Sequence, residues 1–217
     1  MPKNPDAPWR SLTIETALAA VGEPLVKRGL AIKGRGASKK AISAAEKRLG
    51  CPLPDDVRAF YRSVTPIPQC TEFGGGSVGF QPIGDPDLTW LDDPRLREEK
   101  LWVGPSGECW LDGWATARLL VIGYTEFGDC LLWCDRLKGR HPGTVVLTDH
   151  EGEMNPIVLG DTLAQWLGRY FAYGFIEYSI AEGSLDDTGP AATEAFLRDH
   201  VRLNPHCMWA KRKLRAV

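Results

Sequence analysis

The chain has 217 residues, 43% of them hydrophobic and 25% charged, with a net charge of −2. That length suits one large domain, or one domain with extensions, burying a core without staples. No run approaches the roughly 18 apolar residues that a membrane helix needs. The polar, proline-containing start from Met1 to Arg10 lacks the basic-then-apolar layout of a signal peptide. The expected location is the cytoplasm, where the six cysteines are expected as thiols and not as a disulfide framework.

The charge is unevenly spread. Residues 1–69 carry 12 Lys/Arg against 6 Asp/Glu, residues 70–135 carry 4 against 12, and residues 136–217 carry 10 against 10. The middle third is therefore acidic, the sign that attracts a basic partner. Nucleic acid is disfavoured as the main partner, because phosphate binding needs a basic surface.

In chain order, Ser11 to Val21 reads as a helix capped by Ser11 and stopped by Gly22 and Pro24. "KGRGAS", Lys33 to Ser38, reads as a flexible basic joint. Ser38 caps a second helix, in which Ile42, Ala45 and Leu49 recur at helical spacing before Gly50. Pro54 suits the first turn of a third helix, where Asp55 and Asp56 complement the positive end. Val57, Phe60, Tyr61 and Val64 make its apolar face.

The texture then changes. "FGGGSVGFQPIG" predicts a loop feeding a strand near Ser77 to Gln81. Pro82 to Lys100 is acidic and predicted partly helical from Pro94 to Leu101. Trp110 to Trp114 reads as a strand with a turn at Asp112-Gly113. Leu119 to Gly123, Cys130 to Asp135 and Thr144 to Asp149 read as three further strands. Asp161 opens a helix in which Leu163, Trp166, Leu167 and Tyr170 share a face, with Gly174 at its end. Glu182 to Pro190 is a linker, Ala191 to Val201 a last helix, and Lys211 to Arg215 a basic tail.

Helices, then a run of strands, then helices make an α+β class. The expected architecture is a mostly antiparallel twisted sheet of about five to six strands, with N-terminal helices and a C-terminal helix beside it. Three parts are expected: an N-terminal helical extension over 1–36, an α+β domain over 37–175, and a linker, helix and basic tail over 176–217.

The stretch "YTEFGDCLLWC", Tyr124 to Cys134, places two cysteines four residues apart. On a strand they share a face but stand about 13 Å apart, at roughly 3.3 Å per residue. A disulfide needs Cα atoms within about 7 Å, and two thiolates on one zinc need comparable closeness. A strand therefore makes Cys130 and Cys134 core residues. "TDHEGE" clusters Asp149, His150 and Glu151, but adjacent strand residues point to opposite faces, so a polar turn is the expected role. "FGGGSVG" lacks the Lys-Ser/Thr of a phosphate loop. Gly-x-Ser-x-Gly is absent. No catalytic constellation and no cofactor or metal site is expected.

The order "ISAAEKRLGCPLPDDVRAFYRSV", a glycine-rich stretch, "LLVIGYTEFGDCLLWCD", "GTVVLTDHEGE" and "LGDTLAQWLGRYFAYG" resembles the SUKH superfamily. That family includes a fungal cell-wall-synthesis regulator and many bacterial immunity proteins. Its pattern falls here on Leu49-Gly50, Leu53-Pro54, Ile122-Gly123, Gly128-Asp129, Asp149-His150 and Leu163 to Tyr170. The resemblance covers roughly Ala37 to Gly174. The glycine that usually follows the second helix promptly is delayed here by "TPIPQCTEFGGG".

What the resemblance implies is a non-enzymatic α+β domain, whose bacterial members are similar to antidotes that bind and neutralise a cognate toxin, often a nuclease or another effector domain. The expected partner is thus a protein toxin or effector, with no membrane and no nucleic acid. Four of eight tryptophans, Trp90, Trp102, Trp110 and Trp114, lie in or beside the acidic segment, and aromatics amid charges often anchor protein interfaces. The candidate interface is Asp85, Asp87, Trp90, Asp92, Asp93, Glu98 and Glu99. Two other readings compete with it: a scaffold or regulator whose extensions carry the partners, and a metal-dependent hydrolase built on Asp149, His150 and Glu151.

Overall fold

The computed structural model describes residues 13–19, 31–33, 36–66, 78–91, 111–125, 128–148, 156–173 and 190–216. Ser11 lies outside them. The first described helix (α1, residues 14–19) follows Thr13. The Thr13 hydroxyl accepts the Thr16 N–H at 3.2 Å, and the Thr16 hydroxyl accepts the Thr13 N–H at 2.9 Å. Each threonine thereby satisfies a backbone donor that the helix start would leave orphaned.

The basic joint is partly a strand. β1 (Ala31–Lys33) pairs antiparallel with β2 (Val64–Pro66) in a two-stranded sheet. Neither strand is visible as a pattern at three residues each. Between them lie α2 (Lys39–Leu49) and α3 (Asp55–Ser63). The Ser38 hydroxyl caps α2, accepting from the Ala41 N–H at 3.1 Å. Gly50 ends it at φ 73°, a left-handed conformation that costs glycine little. Asp55 and Asp56 occupy the first turn of α3.

The main sheet has five antiparallel strands in chain order: β3 (Val78–Phe80), β4 (Leu119–Thr125), β5 (Cys130–Cys134), β6 (Thr144–Leu147) and β7 (Ile157–Gly160). The α+β architecture with helices at both ends of the chain is as the sequence predicts. Two elements differ. β7 was not expected, because "IVLG" is short and runs straight into the helix start. The strand expected at Trp110 to Trp114 is, among the described residues, a turn leading into a short 3-10 helix, Trp114–Thr116. Gly113 at φ 80° lets the chain turn there.

Both faces of this sheet are buried. Phe80, Leu120, Ile122, Leu131, Trp133, Val145 and Leu159 pack with Ile14, Ala17 and Leu18 of α1, with Ile42 of α2, and with Val57, Phe60 and Tyr61 of α3. α4 (Leu163–Tyr173) completes this layer with Leu163, Trp166 and Leu167. On the other face, Leu119, Val121, Cys130, Leu132, Cys134, Val146 and Val158 pack with Leu91, Leu111, Trp114, Ala117, Leu137 and Leu203. Every described residue of β5 is therefore core, and Cys130 and Cys134 are buried thiols outside any disulfide.

Leu203 ends α5 (Pro190–Leu203), and α6 (Met208–Ala216) follows it. The basic tail is thus helical. Asn204, 1% exposed, sits beside edge strand β7. Its side chain accepts the Val158 N–H at 2.8 Å and donates to the Val158 carbonyl at 2.9 Å, standing in for a sixth strand. Ion pairs reinforce this docking. Arg169 of α4 pairs with Asp199 of α5 in near-complete burial. Arg202 reaches Asp199 and Asp161 at 2.9 Å each, and Arg140 approaches Asp161 at 3.5 Å.

His200, 2% exposed, stacks on Phe196 with ring centroids 5.7 Å apart. Burial pushes its pKa down from 6.5 to about 3; the neighbouring Arg169 adds to the shift and Asp199 opposes it. The unfolded chain therefore takes up this proton first as pH falls. The stabilisation is complete above about pH 6.5 and is lost progressively towards pH 3. Urea unfolding across this window is expected to show the loss, and His200→Phe is expected to remove its histidine component.

Candidate functional site

The described part of the acidic segment, residues 82–91, forms a tight turn followed by a short extended run. Proline and aspartate make the turn. The Asp85 N–H donates to the Pro82 carbonyl at 2.9 Å, and the Asp85 carboxylate accepts the Asp87 N–H at 2.8 Å. This is the local bond that favours aspartate in turns. Leu88 and Leu91 are fully buried, one in each half of the core. The Leu91 N–H donates to the Leu119 carbonyl at 2.8 Å, and the Val121 N–H to the Thr89 carbonyl at 2.9 Å. The run thus covers the part of β4 that β3 does not reach.

Arg48 of α2 braces the turn from outside, donating to the Leu88 carbonyl at 2.8 Å and the Pro86 carbonyl at 3.3 Å. Below it the Tyr61 hydroxyl donates to the Gln81 carbonyl at 2.6 Å, and burial holds that phenol far above its ordinary pKa. Asp87 is left exposed and Asp85 half-buried on a backbone that is bonded along its length.

Trp90, expected at the interface, is buried. Its ring is 8% exposed, edge-on to Trp133 at 6.2 Å, with the Arg118 guanidinium 4.3 Å above it. It packs beneath the surface and does not stand out as an anchor, because the β4 bridge at Leu120 turns it inward. Trp114 is likewise 5% exposed. Asp92, Asp93, Glu98 and Glu99 lie outside the described residues, as do Trp102, Trp110 and the expected helix from Pro94 to Leu101. The structure therefore brings Asp85 and Asp87 together in one turn, while Trp90 packs inward against Trp133.

Asp149, His150 and Glu151 also lie outside the described residues. Among the described residues, no group of three His, Cys, Asp or Glu side chains could hold a metal ion. No helix among them is long and apolar enough to cross a membrane.

The described motif positions take structural roles. Leu53, 2% exposed, gives its N–H to Glu46 at 3.1 Å. Arg58 bonds both Glu46 and the Leu53 carbonyl, at 2.9 Å each, locking α2 to α3. The Arg58 hydrogen bond is the main reason the Glu46 carboxyl sits below its ordinary pKa. Gly123 lies at a β-bulge, where a Cβ would meet the Gly79 carbonyl oxygen at 2.2 Å. Gly128, at φ 98°, turns the β4–β5 hairpin. The Thr125 hydroxyl closes that hairpin on the Asp129 carboxylate at 3.0 Å.

A helix pair locked by a Leu-Pro turn leads into an antiparallel meander covered on both faces, and the described motif residues hold that frame. The family model of the SMI1 / KNR4 family (SUKH-1) matches residues 36–169, more than half of the chain, and the chain belongs to that family. No curated protein and no solved structure matches it.

Arg48→Met keeps the stem of the side chain and removes both bonds to the acidic turn. It is expected to cost about 1–2 kcal/mol and to speed amide hydrogen exchange over residues 84–90. Unchanged exchange there would show that the turn does not depend on Arg48.

Proposed function

We propose that the chain is a non-enzymatic immunity protein that binds and neutralises a cognate toxin or effector in the cytoplasm. A basic nuclease is the class that best suits its charge. The observation that carries this is the braced acidic turn. Asp85 and Asp87 are presented on a backbone tied to β4 and Arg48, in the third of the chain that carries 12 acidic against 4 basic residues. A rigid acidic surface loses little conformational entropy on binding and steers a basic partner towards it. Family membership supports the reading, since the resemblance implies antidotes among bacterial members. Asp92, Asp93, Glu98 and Glu99 are proposed to extend this surface along the chain.

A scaffold or regulatory role is the alternative within the same family. Deleting residues 1–36 is not a clean way to separate the two. Ile14, Ala17 and Leu18 belong to the core, and β1 pairs with β2, so the deletion would damage the fold along with any partner site.

The test is affinity capture of the tagged full chain from its source organism at moderate salt. A single stoichiometric partner is expected, carrying a basic effector or nuclease-like domain whose toxicity the chain suppresses on co-expression. Several housekeeping proteins, with no toxicity to suppress, would favour the scaffold role and overturn the antidote reading.

A further inference from the structure

A cleft of about 610 Å³ opens where the starts of α1, α3 and α4 meet the β5–β6 connection. Its walls are apolar: Ile14, Pro54, Ala59, Trp133, Pro142 and Ala164. Among the described residues that line it, the charged ones are Glu15, Asp55 and Asp56, with no Lys, Arg or His. Glu15 and Asp55 are exposed. Asp55 shares its charge with Arg58 at 2.7 Å, while Glu15 has no described cation beside it.

The floor is fixed. The Trp133 indole N–H donates to the Asp56 carboxylate at 3.1 Å, and the other Asp56 oxygen accepts the Val57 N–H at 2.8 Å. Gly143, at φ 96°, closes against this pair, since a Cβ there would stand 3.2 Å from Asp56 and 3.3 Å from the indole nitrogen. Burial raises the Asp56 pKa and outweighs these two bonds, so its ionised form lacks full compensation. The dipoles of α3 and α4 favour carboxylates near their starts but supply no mobile countercharge.

We propose that this cleft receives a lysine or arginine side chain from a protein partner, its aliphatic stem along the apolar walls and its cationic end among Glu15, Asp55 and Asp56. The charge complementarity selects the occupant. An anion meets three carboxylates, and a purely apolar group gives the half-buried Asp56 carboxylate no countercharge beyond its two hydrogen bonds. A long basic side chain matches both halves of the site, because its stem is apolar and its tip is charged. α1 lies before the segment that the family model matches, so this site depends on the chain's own extension. It rests on the protein-binding reading above and adds a second contact away from Asp85 and Asp87.

The experiment is a titration of the 15N-labelled full chain with N-acetyl-arginine N-methylamide, followed at the Trp133 indole resonance. The norleucine analogue serves as the uncharged control. A saturable shift in the millimolar range is expected with arginine, with at least about a threefold weaker response to norleucine. The double variant Glu15→Gln/Asp55→Asn alters only exposed side chains and should preserve the spectrum of the fold. It is expected to weaken arginine binding at least about threefold. No arginine shift, an equal response to norleucine, or an unchanged response in the variant would overturn the proposal. Because no partner is needed, failure here leaves the antidote reading standing, and failed capture leaves this site standing.

Discussion

The five-stranded sheet has no wet face, and the rest of the structure follows from that. An antiparallel sheet often leaves one side to solvent, yet all described residues of β5 and β6 are buried. Each face therefore needs a cover. α1 to α4 cover one side. The run to Leu91, the 3-10 turn at Trp114 and the end of α5 at Leu203 cover the other. Part of that second cover lies beyond residue 169, where the family match ends. The C-terminal helices are thus built into the core, held by Asn204 on β7 and by the Arg169–Asp199 pair. A buried pair of this kind is costly to break, since either partner left alone is an uncompensated charge.

A sheet closed on both faces moves recognition to loops and helix ends. The acidic turn and the cleft beside α3 are the two places proposed for it. Both are rigid for local reasons, namely Arg48 and the Asx bond at Asp85 in the first and the Asp56–Trp133–Gly143 contact in the second. Rigidity suits a protein whose role is to hold one partner, because less freedom is lost when the complex forms.

Much of the frame was legible in the sequence, because it rests on local chemistry. Ser38 and Gly50 bracket α2 as capping rules require, and the alternation through Cys130 to Cys134 placed both cysteines on one face. The order of the short motifs pointed to the family. What stayed hidden was set by tertiary contacts. β1 and β2 are three residues each and exist by pairing with one another. β7 is recognisable only once Asn204 and β6 lie beside it. Trp90 sits among aspartates and so read as an exposed anchor, but its bridge to Leu120 turns it inward. The cleft brings together residues 15, 56, 133 and 164, and no spacing in the sequence signals that convergence.

The most direct test of the central claim is a binding titration with the captured partner. Wild type and the Asp85→Lys/Asp87→Lys variant would be compared across a salt series, with folding checked by circular dichroism. At low salt the account predicts at least about tenfold weaker binding for the variant, about 1.4 kcal/mol, with the gap narrowing as salt screens the surface. Equal affinities at every salt concentration would contradict it, and would place the partner elsewhere on the protein.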